Sequence, residues 1–291
     1  MRDVAEMLDN VLQHFIDNAP APVKRAKFSA MRERSIGVGA LGFHAYLQKN
    51  NLPWESAQST GANIKIFKHI REGLDAANKQ LGAERGEALD AVGTGLRFSH
   101  VMAVAPNASS SILMGNTSPS IEPYRANAYR QDTLSGSYLN KNRYLDNILK
   151  EKCVEDEKLD YNEIWSSIIA NDGSVQHLDF LDEWTKSVFK TSMEIDQRWI
   201  VDHAAHRQSY IDQAQSVNLF FRPDVNVKYL HAVHFQAWKQ GLKTLYYCRS
   251  EKLAKADKVA KKIEREVIKE IDLSVLANLS EGEDICLACE G

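Results

Sequence analysis

A charged segment near the carboxyl end limits which part of this chain can form a core. Residues 249–272 are dense in Lys and Glu and contain few apolar side chains. Such a segment cannot bury enough apolar surface to offset the entropy lost on folding, so we expect a solvated helix or a disordered linker there. The core is therefore expected within residues 1–248, and residues 249–282 are predicted to form a charged tether.

Beyond the tether, residues 283–291 carry a thiol pair, Cys286 and Cys289, with C-x-x-C spacing. Such a pair can close into a disulfide or share a metal, and on a flexible tail it can carry reducing equivalents between a buried site and an external reductant. The alternative is half of a zinc site. Zinc needs four ligands, and Cys153 and Cys248 lie in no second C-x-x-C, so we favour the redox role and predict no metal site.

Two histidine pairs leave open the possibility of a chance pair of metal ligands, because the members of each pair are three residues apart on predicted helices. They are His203 with His206 and His231 with His234. The competing interpretation is therefore a cytoplasmic scaffold or interaction subunit whose tail C-x-x-C binds zinc.

Composition narrows the class of protein. With 44% hydrophobic and 26% charged residues in 291, the chain suits one large soluble domain or two modest ones. A net charge of −3 implies no overall attraction to nucleic acid or to anionic membrane. Four cysteines, no apolar leader and no apolar run long enough for a bilayer favour a cytoplasmic location.

Apolar spacing predicts helices joined to short buried strands. The predicted helices cover residues 4–16, about 59–81, most of 161–215, and 225–240 up to Gly241. Strand-like runs occur at 101–104 and 244–248, and residues 125–160 are polar, without a clean period, and typical of an insertion.

The glycines Gly37, Gly39 and Gly42 match G-x-G-x-x-G, a pattern found in dinucleotide-binding folds. They follow the polar residues 31–35 rather than an apolar strand, and only Glu55 lies near the expected acidic position. We therefore reject dinucleotide binding and expect these glycines to permit close packing.

A polar cluster, residues 107–111, follows the predicted strand 101–104 and Pro106. Hydroxyls, a carboxamide and backbone N–H groups at a loop that opens a helix can cradle the anion of a phosphate ester. From the residues alone, an ordinary serine-rich loop remains the simpler interpretation.

Tyr246 and Tyr247 lie on the strand-like run 244–248. Adjacent residues of a strand face opposite sides, so two buried phenols would be expected to do different jobs. Two core aromatic residues with satisfied hydroxyls is the default interpretation.

The order of these segments resembles the C-terminal part of the large, catalytic subunit of class I ribonucleotide reductase, over most of the chain, with bacteriophage versions looking closest. The segments that carry the resemblance are Arg34–Phe43, Ala105–Ser111, Ile121–Pro123, Leu242–Tyr247 and the terminal cysteine pair. It implies the second half of a ten-stranded α/β barrel at residues 1–248, followed by a flexible C-terminal tail, and reduction of ribonucleoside diphosphates to deoxyribonucleotides by a radical mechanism.

The resemblance also implies roles for individual residues. The substrate-phosphate loop falls on Pro106, Asn107, Ala108, Ser109 and Ser110, although family members often have an acidic residue where Ala108 stands. Tyr246 and Tyr247 match a tyrosine pair that relays a radical from a metal-containing small subunit. Cys286 and Cys289 match shuttle cysteines that thioredoxin or glutaredoxin reduces, and some members space those cysteines further apart.

One expected element is missing from the sequence. The family's thiyl-radical cysteine lies in an Asn-x-Cys-x-Glu element, which these 291 residues do not contain. We therefore expect a split or truncated large subunit that is inactive alone and needs an upstream large-subunit fragment.

Overall fold

The computed structural model describes residues 1–133 and 136–250, except the side chains of residues 130–138. The predicted tether beyond residue 250 and the tail with Cys286 and Cys289 lie outside the described residues. The helices are α1 (Arg2–Asn18), α2 (Lys24–Glu33), α3 (Phe43–Lys49), α4 (Ala57–Arg85), α5 (Ala108–Leu113), α6 (Arg143–Glu155), α7 (Tyr161–Ala170), α8 (Glu183–Val188), α9 (Gln197–Gln208) and α10 (Val227–Lys239).

The helix ends have local causes in the sequence. Ser56 starts α4, because its side chain accepts a hydrogen bond from the Ser59 N–H at 3.1 Å. Gly86, with φ of +86°, ends the same helix. Asn226 caps α10 in the way that Ser56 caps α4. The helices predicted near 59–81 and 225–240 are therefore confirmed, with bounds shifted by a few residues.

Parallel contacts join stretches of chain that are far apart in sequence. Val38 pairs with Met102, and Val104 pairs with Gln215. β3 (Leu219–Phe221) pairs with β4 (Cys248–Ser250), again in parallel. Since residues 215–219 are continuous, four parallel segments lie side by side in the order 38, 102–104, 215–219 and 248. We call this arrangement the parallel wall. The described residues therefore have an α/β fold.

The main core lies between this wall and the helices. α4 packs against both α1 and α9. The largest fully buried side chains of this core are Trp54, Phe67, Phe98 and Phe220. Leu74 and Leu81, one helical heptad apart on α4, are fully buried in the same core, as expected for one apolar face.

The stretch predicted as a polar insertion has more structure than the sequence pattern indicated. β1 (Ala128–Thr133) and β2 (Gly136–Lys141) form an antiparallel hairpin, and α6 follows it. Leu145 and Leu149, four residues apart on α6, are fully buried in a second hydrophobic cluster. That spacing puts both on one helical face, which a search for a longer period overlooks.

Candidate functional site

The parallel wall brings the two predicted functional loops to neighbouring positions. The polar loop at 106–110 begins just beyond Val104, whose carbonyl accepts the Ser216 N–H at 2.9 Å. The same segment continues to Val217, whose carbonyl accepts the Tyr246 N–H at 2.8 Å. One stretch, residues 213–219, therefore contacts both the extended segment 102–104 that precedes the loop and the tyrosine pair. Ligands of α/β sheets commonly bind beyond the carboxyl ends of parallel strands.

The predicted phosphate loop opens the short helix α5. Asn107 adopts a left-handed backbone conformation with φ of +55° and turns the chain into the helix at Ala108. Ser109 and Ser110 are exposed, whereas Ser111 turns inward and donates from Oγ to the Ala108 carbonyl at 2.6 Å. The N–H groups of a first helical turn have no intrahelical acceptor. The loop therefore offers exposed hydroxyls together with backbone donors.

Tyr246 and Tyr247 lie against each other. Their ring centroids are 4.0 Å apart, and their hydroxyl oxygens are 3.3 Å apart. Both side chains are half-exposed, at 49%. The expectation of two buried phenols on opposite faces is therefore wrong. The pair precedes β4, which begins at Cys248, and rings of adjacent residues can meet only where the chain departs from strand geometry.

Sequence reasoning assigned no role to two polar residues beneath this pair. The Asn218 Nδ2 donates to Glu122 Oε1 at 2.6 Å, and the Asn218 Oδ1 accepts the Tyr247 N–H at 3.0 Å. Glu122 and Asn218 are 8% and 2% exposed. The available signal was a polar residue inside each apolar run: Glu122 between Ile121 and Pro123, and Asn218 after Val217.

Burial governs the charge of Glu122. Loss of solvation raises the pKa of the Glu122 carboxyl to about 7, against the opposing effects of Arg249, the Asn218 hydrogen bond and Arg125. This carboxyl therefore changes charge close to neutral pH.

The glycines of the G-x-G-x-x-G pattern lie where backbone segments approach closely. A Cβ at Gly39 would come within 2.6 Å of the Ala103 carbonyl oxygen. Gly42 has φ of +80° and precedes α3. These contacts support the packing role predicted for the glycines.

A cavity of about 320 Å³ lies beside the loop that follows α5, and its lining includes none of the predicted site residues that the structure describes. It is lined by Asn116, Tyr124, Ala126, Asn127, Tyr129, Asn140, Lys141, Asn142 and Arg143.

The histidine pairs do not form metal centres in the described part of the chain, where no group of three or more His, Cys, Asp or Glu side chains is arranged to hold a metal ion. His203 is buried and stacks on Trp54, with ring centroids 5.3 Å apart. His231 stacks on Phe235, and His234 contacts the Leu230 carbonyl through Nδ1 at 2.8 Å. Within residues 1–133 and 136–250, no helix combines the length and the hydropathy needed to cross a bilayer.

Three viral proteins are similar to this chain over most of its length, and each is named ribonucleoside-diphosphate reductase large subunit. The protein of Invertebrate iridescent virus 6 is 57% identical over 89% of this chain and 27% of its own length. That of Invertebrate iridescent virus 3 is 55% identical over 88% of this chain and 40% of its own length. That of Vaccinia virus (strain Copenhagen) is 32% identical over 86% of this chain and 36% of its own length. The chain thus spans less than half the length of each relative.

A solved structure and a family model agree with these relatives. The alpha subunit of the class Id ribonucleotide reductase of Actinobacillus ureae superposes with a TM-score of 0.78 and 38% sequence identity, over 86% of this chain and 46% of that subunit. The model of the ribonucleotide reductase barrel domain matches residues 1–91 and 88–248. The chain therefore belongs to the ribonucleotide reductase family and carries sequence of its barrel domain.

Proposed function

We propose that this chain is the C-terminal portion of the catalytic large subunit of a ribonucleoside-diphosphate reductase. In this proposal, residues 1–248 form the second half of a ten-stranded α/β barrel, and the upstream part of the large subunit supplies the other half together with the thiyl-radical cysteine. The parallel wall and the match to the barrel domain support this assignment.

The substrate's phosphates bind at residues 106–110. No Lys or Arg lies within this loop, so the contacts come from backbone N–H groups and hydroxyls. The exposure of Ser109 and Ser110 at the start of α5 supports this assignment, because a diphosphate can reach them from solvent.

The tyrosine pair carries the radical toward the reacting nucleotide. The observation that supports this role most directly is the ring contact between Tyr246 and Tyr247, with hydroxyl oxygens 3.3 Å apart. A phenol that loses an electron and a proton together becomes a neutral radical. A neighbouring phenol within hydrogen-bond distance can give its own electron and proton to that radical, which moves the radical from one tyrosine to the other. The exposed faces of the pair suit delivery of the radical by a metal-containing small subunit.

The cysteine pair closes the reaction cycle. Replacing a ribose 2′-hydroxyl by hydrogen releases water and consumes two electrons and two protons, which a dithiol supplies as it becomes a disulfide. Cys286 and Cys289 reduce that disulfide by thiol exchange and are themselves reduced by thioredoxin or glutaredoxin. The enzyme acts in the cytoplasm, and the chain alone does not turn over.

Single Tyr→Phe substitutions test this function in a reductase assembled from this chain, the upstream large-subunit part and the small subunit. Tyr246→Phe and Tyr247→Phe should each abolish turnover while lowering the melting temperature by only a few degrees, because a lost phenol hydrogen bond is worth about 1 kcal/mol. Tyr46→Phe is the matched control, since Tyr46 is 43% exposed on α3. Retained activity in both substituted enzymes would contradict the relay.

A further inference from the structure

The backbone at the tyrosine pair is held by three successive hydrogen bonds, and the middle one comes from a side chain. Tyr246 N–H donates to the Val217 carbonyl at 2.8 Å, and Leu219 N–H donates to the Tyr247 carbonyl at 2.9 Å. Between them, Tyr247 N–H donates to Asn218 Oδ1 at 3.0 Å. The Asn218 side chain therefore fixes the backbone at the residue where the two rings meet.

The orientation of the Asn218 carboxamide is set by Glu122. A carboxamide has two nearly equivalent orientations, and only the one with Oδ1 toward Tyr247 provides an acceptor for the backbone N–H. Glu122 Oε1 accepts from Asn218 Nδ2 at 2.6 Å, which requires that orientation. Both side chains are almost fully buried, so water does not compete for these bonds.

Glu122 is itself fixed by its surroundings. Its N–H donates to the Pro119 carbonyl at 3.0 Å, and its neighbours Ile121 and Pro123 are buried. The charged groups that act on its carboxyl are Arg249 on β4 and Arg125 on the following loop, and both favour the carboxylate. Burial opposes them and leaves the pKa of the carboxyl at about 7. A carboxylate accepts a hydrogen bond more strongly than a neutral acceptor, which strengthens the bond to Asn218 when Glu122 is charged.

We infer that Glu122 is a positioning residue for the tyrosine pair: through the Asn218 carboxamide it holds the Tyr247 backbone in the conformation that keeps the two phenols in contact. The inference rests on the proposed radical relay for its functional meaning, but the structural coupling stands apart from catalysis. Glu122 reaches the Tyr247 backbone through the Asn218 side chain.

Fluorine NMR on the full chain, with 3-fluorotyrosine at position 247, measures the coupling directly. Glu122→Leu replaces the acceptor with an apolar side chain of similar size, and it should shift the position-247 resonance. Glu122→Gln should leave that resonance in place, because an amide oxygen can accept the same Asn218 N–H. A second reporter at position 161, in the other hydrophobic cluster, checks the fold, and Glu151→Gln is a matched exposed control.

An unchanged position-247 resonance in Glu122→Leu would overturn the inference. If Glu122→Leu also moves the position-161 reporter, the position-247 resonance is measured in Asn218→Ser instead, because that substitution removes the carboxamide without altering Glu122. A shift confined to position 247 supports the coupling, and an unmoved resonance overturns it.

Kinetics of the assembled reductase add a functional readout. Glu122→Leu should lower kcat by about tenfold or more with little change in KM for the nucleoside diphosphate, and Glu122→Gln should restore most of kcat. An unchanged kcat in Glu122→Leu would overturn the positioning role even if the Tyr→Phe enzymes are inactive. If the Tyr→Phe enzymes remain active while the fluorine shift is observed, the relay fails and the structural coupling stands.

Discussion

Asp9 and Arg97 form a buried ion pair in which Arg97 Nε lies 3.0 and 3.2 Å from the two oxygens of the Asp9 carboxylate. Arg34 donates to the same carboxylate from Nε at 3.0 Å, and Arg85 donates from Nη1 at 2.9 Å. The cluster ties α1 to the end of α4 and to the loop before residue 98. Asp9→Asn should lower the free energy of unfolding by about 3–5 kcal/mol, because it leaves buried arginines without their carboxylate.

Acid should weaken the same cluster. Burial alone would raise the pKa of Asp9, but hydrogen bonds from Arg97, Arg34 and Arg85 outweigh burial and lower it. Because the pKa of Asp9 is lower in the folded chain than its ordinary value of 3.8, the ionised carboxylate stabilises the fold at a pH above 3.8. That stabilisation is lost as the pH falls below 3.8 toward the pKa of the folded chain. Urea unfolding at pH 7 and below pH 4 should therefore show a shrinking difference between the wild-type chain and Asp9→Asn. Asp224→Asn, at an exposed position, is the matched control.

Glu122 should have the opposite pH dependence. Because its pKa is raised from 4.5 to about 7, the folded state binds more protons than the unfolded state between those values, and stability falls as pH rises through that window. Glu122→Gln abolishes this loss. The gain of the Gln chain over wild type should be greater at pH 8 than at pH 4.5 by up to about 3 kcal/mol, measured by denaturant unfolding. A constant difference would contradict a buried, titrating carboxyl.

Two glycines on α4 should respond in opposite ways to alanine. A Cβ at Gly82 would lie 2.2 Å from the Gly95 carbonyl oxygen, whereas a Cβ at Gly61 meets nothing within 4 Å. Gly82→Ala should lower the free energy of unfolding by about 1–3 kcal/mol through overpacking. Gly61→Ala should raise it by about 0.5–1 kcal/mol, since alanine is the better helix former. Thermal unfolding of both chains provides the comparison.

The phosphate loop should tolerate loss of a hydroxyl better than added bulk. Ser109→Ala should raise KM for the nucleoside diphosphate by about two- to tenfold, as a neutral hydrogen bond contributes about 0.5–1.5 kcal/mol. Ala108→Leu should raise KM further by obstructing the approach of the phosphates to the backbone. Ser166→Ala is the control, because the Ser166 hydroxyl donates to the Asn162 carbonyl within α7. A substrate-bound structure with the phosphates elsewhere would refute the assignment.

The tail cysteines should matter only when turnover is repeated. A double Cys286→Ser and Cys289→Ser substitution should abolish multiple turnover with a thioredoxin-type reductant. A single turnover by pre-reduced enzyme should be spared, because its electrons are already in place. Product formed per enzyme, measured after rapid mixing, separates the two. Equal loss of both would exclude a shuttle role.

The sequence predicted those parts of the fold that local pattern determines. The long apolar period of α4 and the run ending at Gly241 both became helices, because one apolar face and one terminating residue suffice to specify a helix. The pairing of Val104 with Gln215 could not be predicted, since nothing local to either residue names its partner. α6 was overlooked because its fully buried residues, Leu145 and Leu149, are a single helical turn apart and give too short a period.

The candidate site was predicted only in part for the same reason. The loop at 106–110 and the tyrosine pair received their predicted roles from the family resemblance, but the contact of the two rings depends on backbone geometry at Tyr247. Asn218 and Glu122 control that geometry from positions that are distant in sequence. The sequence therefore indicated the candidate reactive groups only through the resemblance, and it did not indicate the groups that hold them.

The parallel wall has a consequence for how the chain reaches its native state. Val38, Met102, Val104 and Gln215 meet across it, and α5 to α9 lie between the last two along the chain. Contacts of such high contact order form slowly, because long loops must close before any pairing stabilises them. During synthesis, the segments that contain Val38 and Met102 leave the ribosome well before Gln215 does. Until Gln215 is available, their unpaired apolar edges are exposed and can associate with other chains. Expression yield should therefore depend on chaperone supply and temperature more than on the final stability of the folded protein.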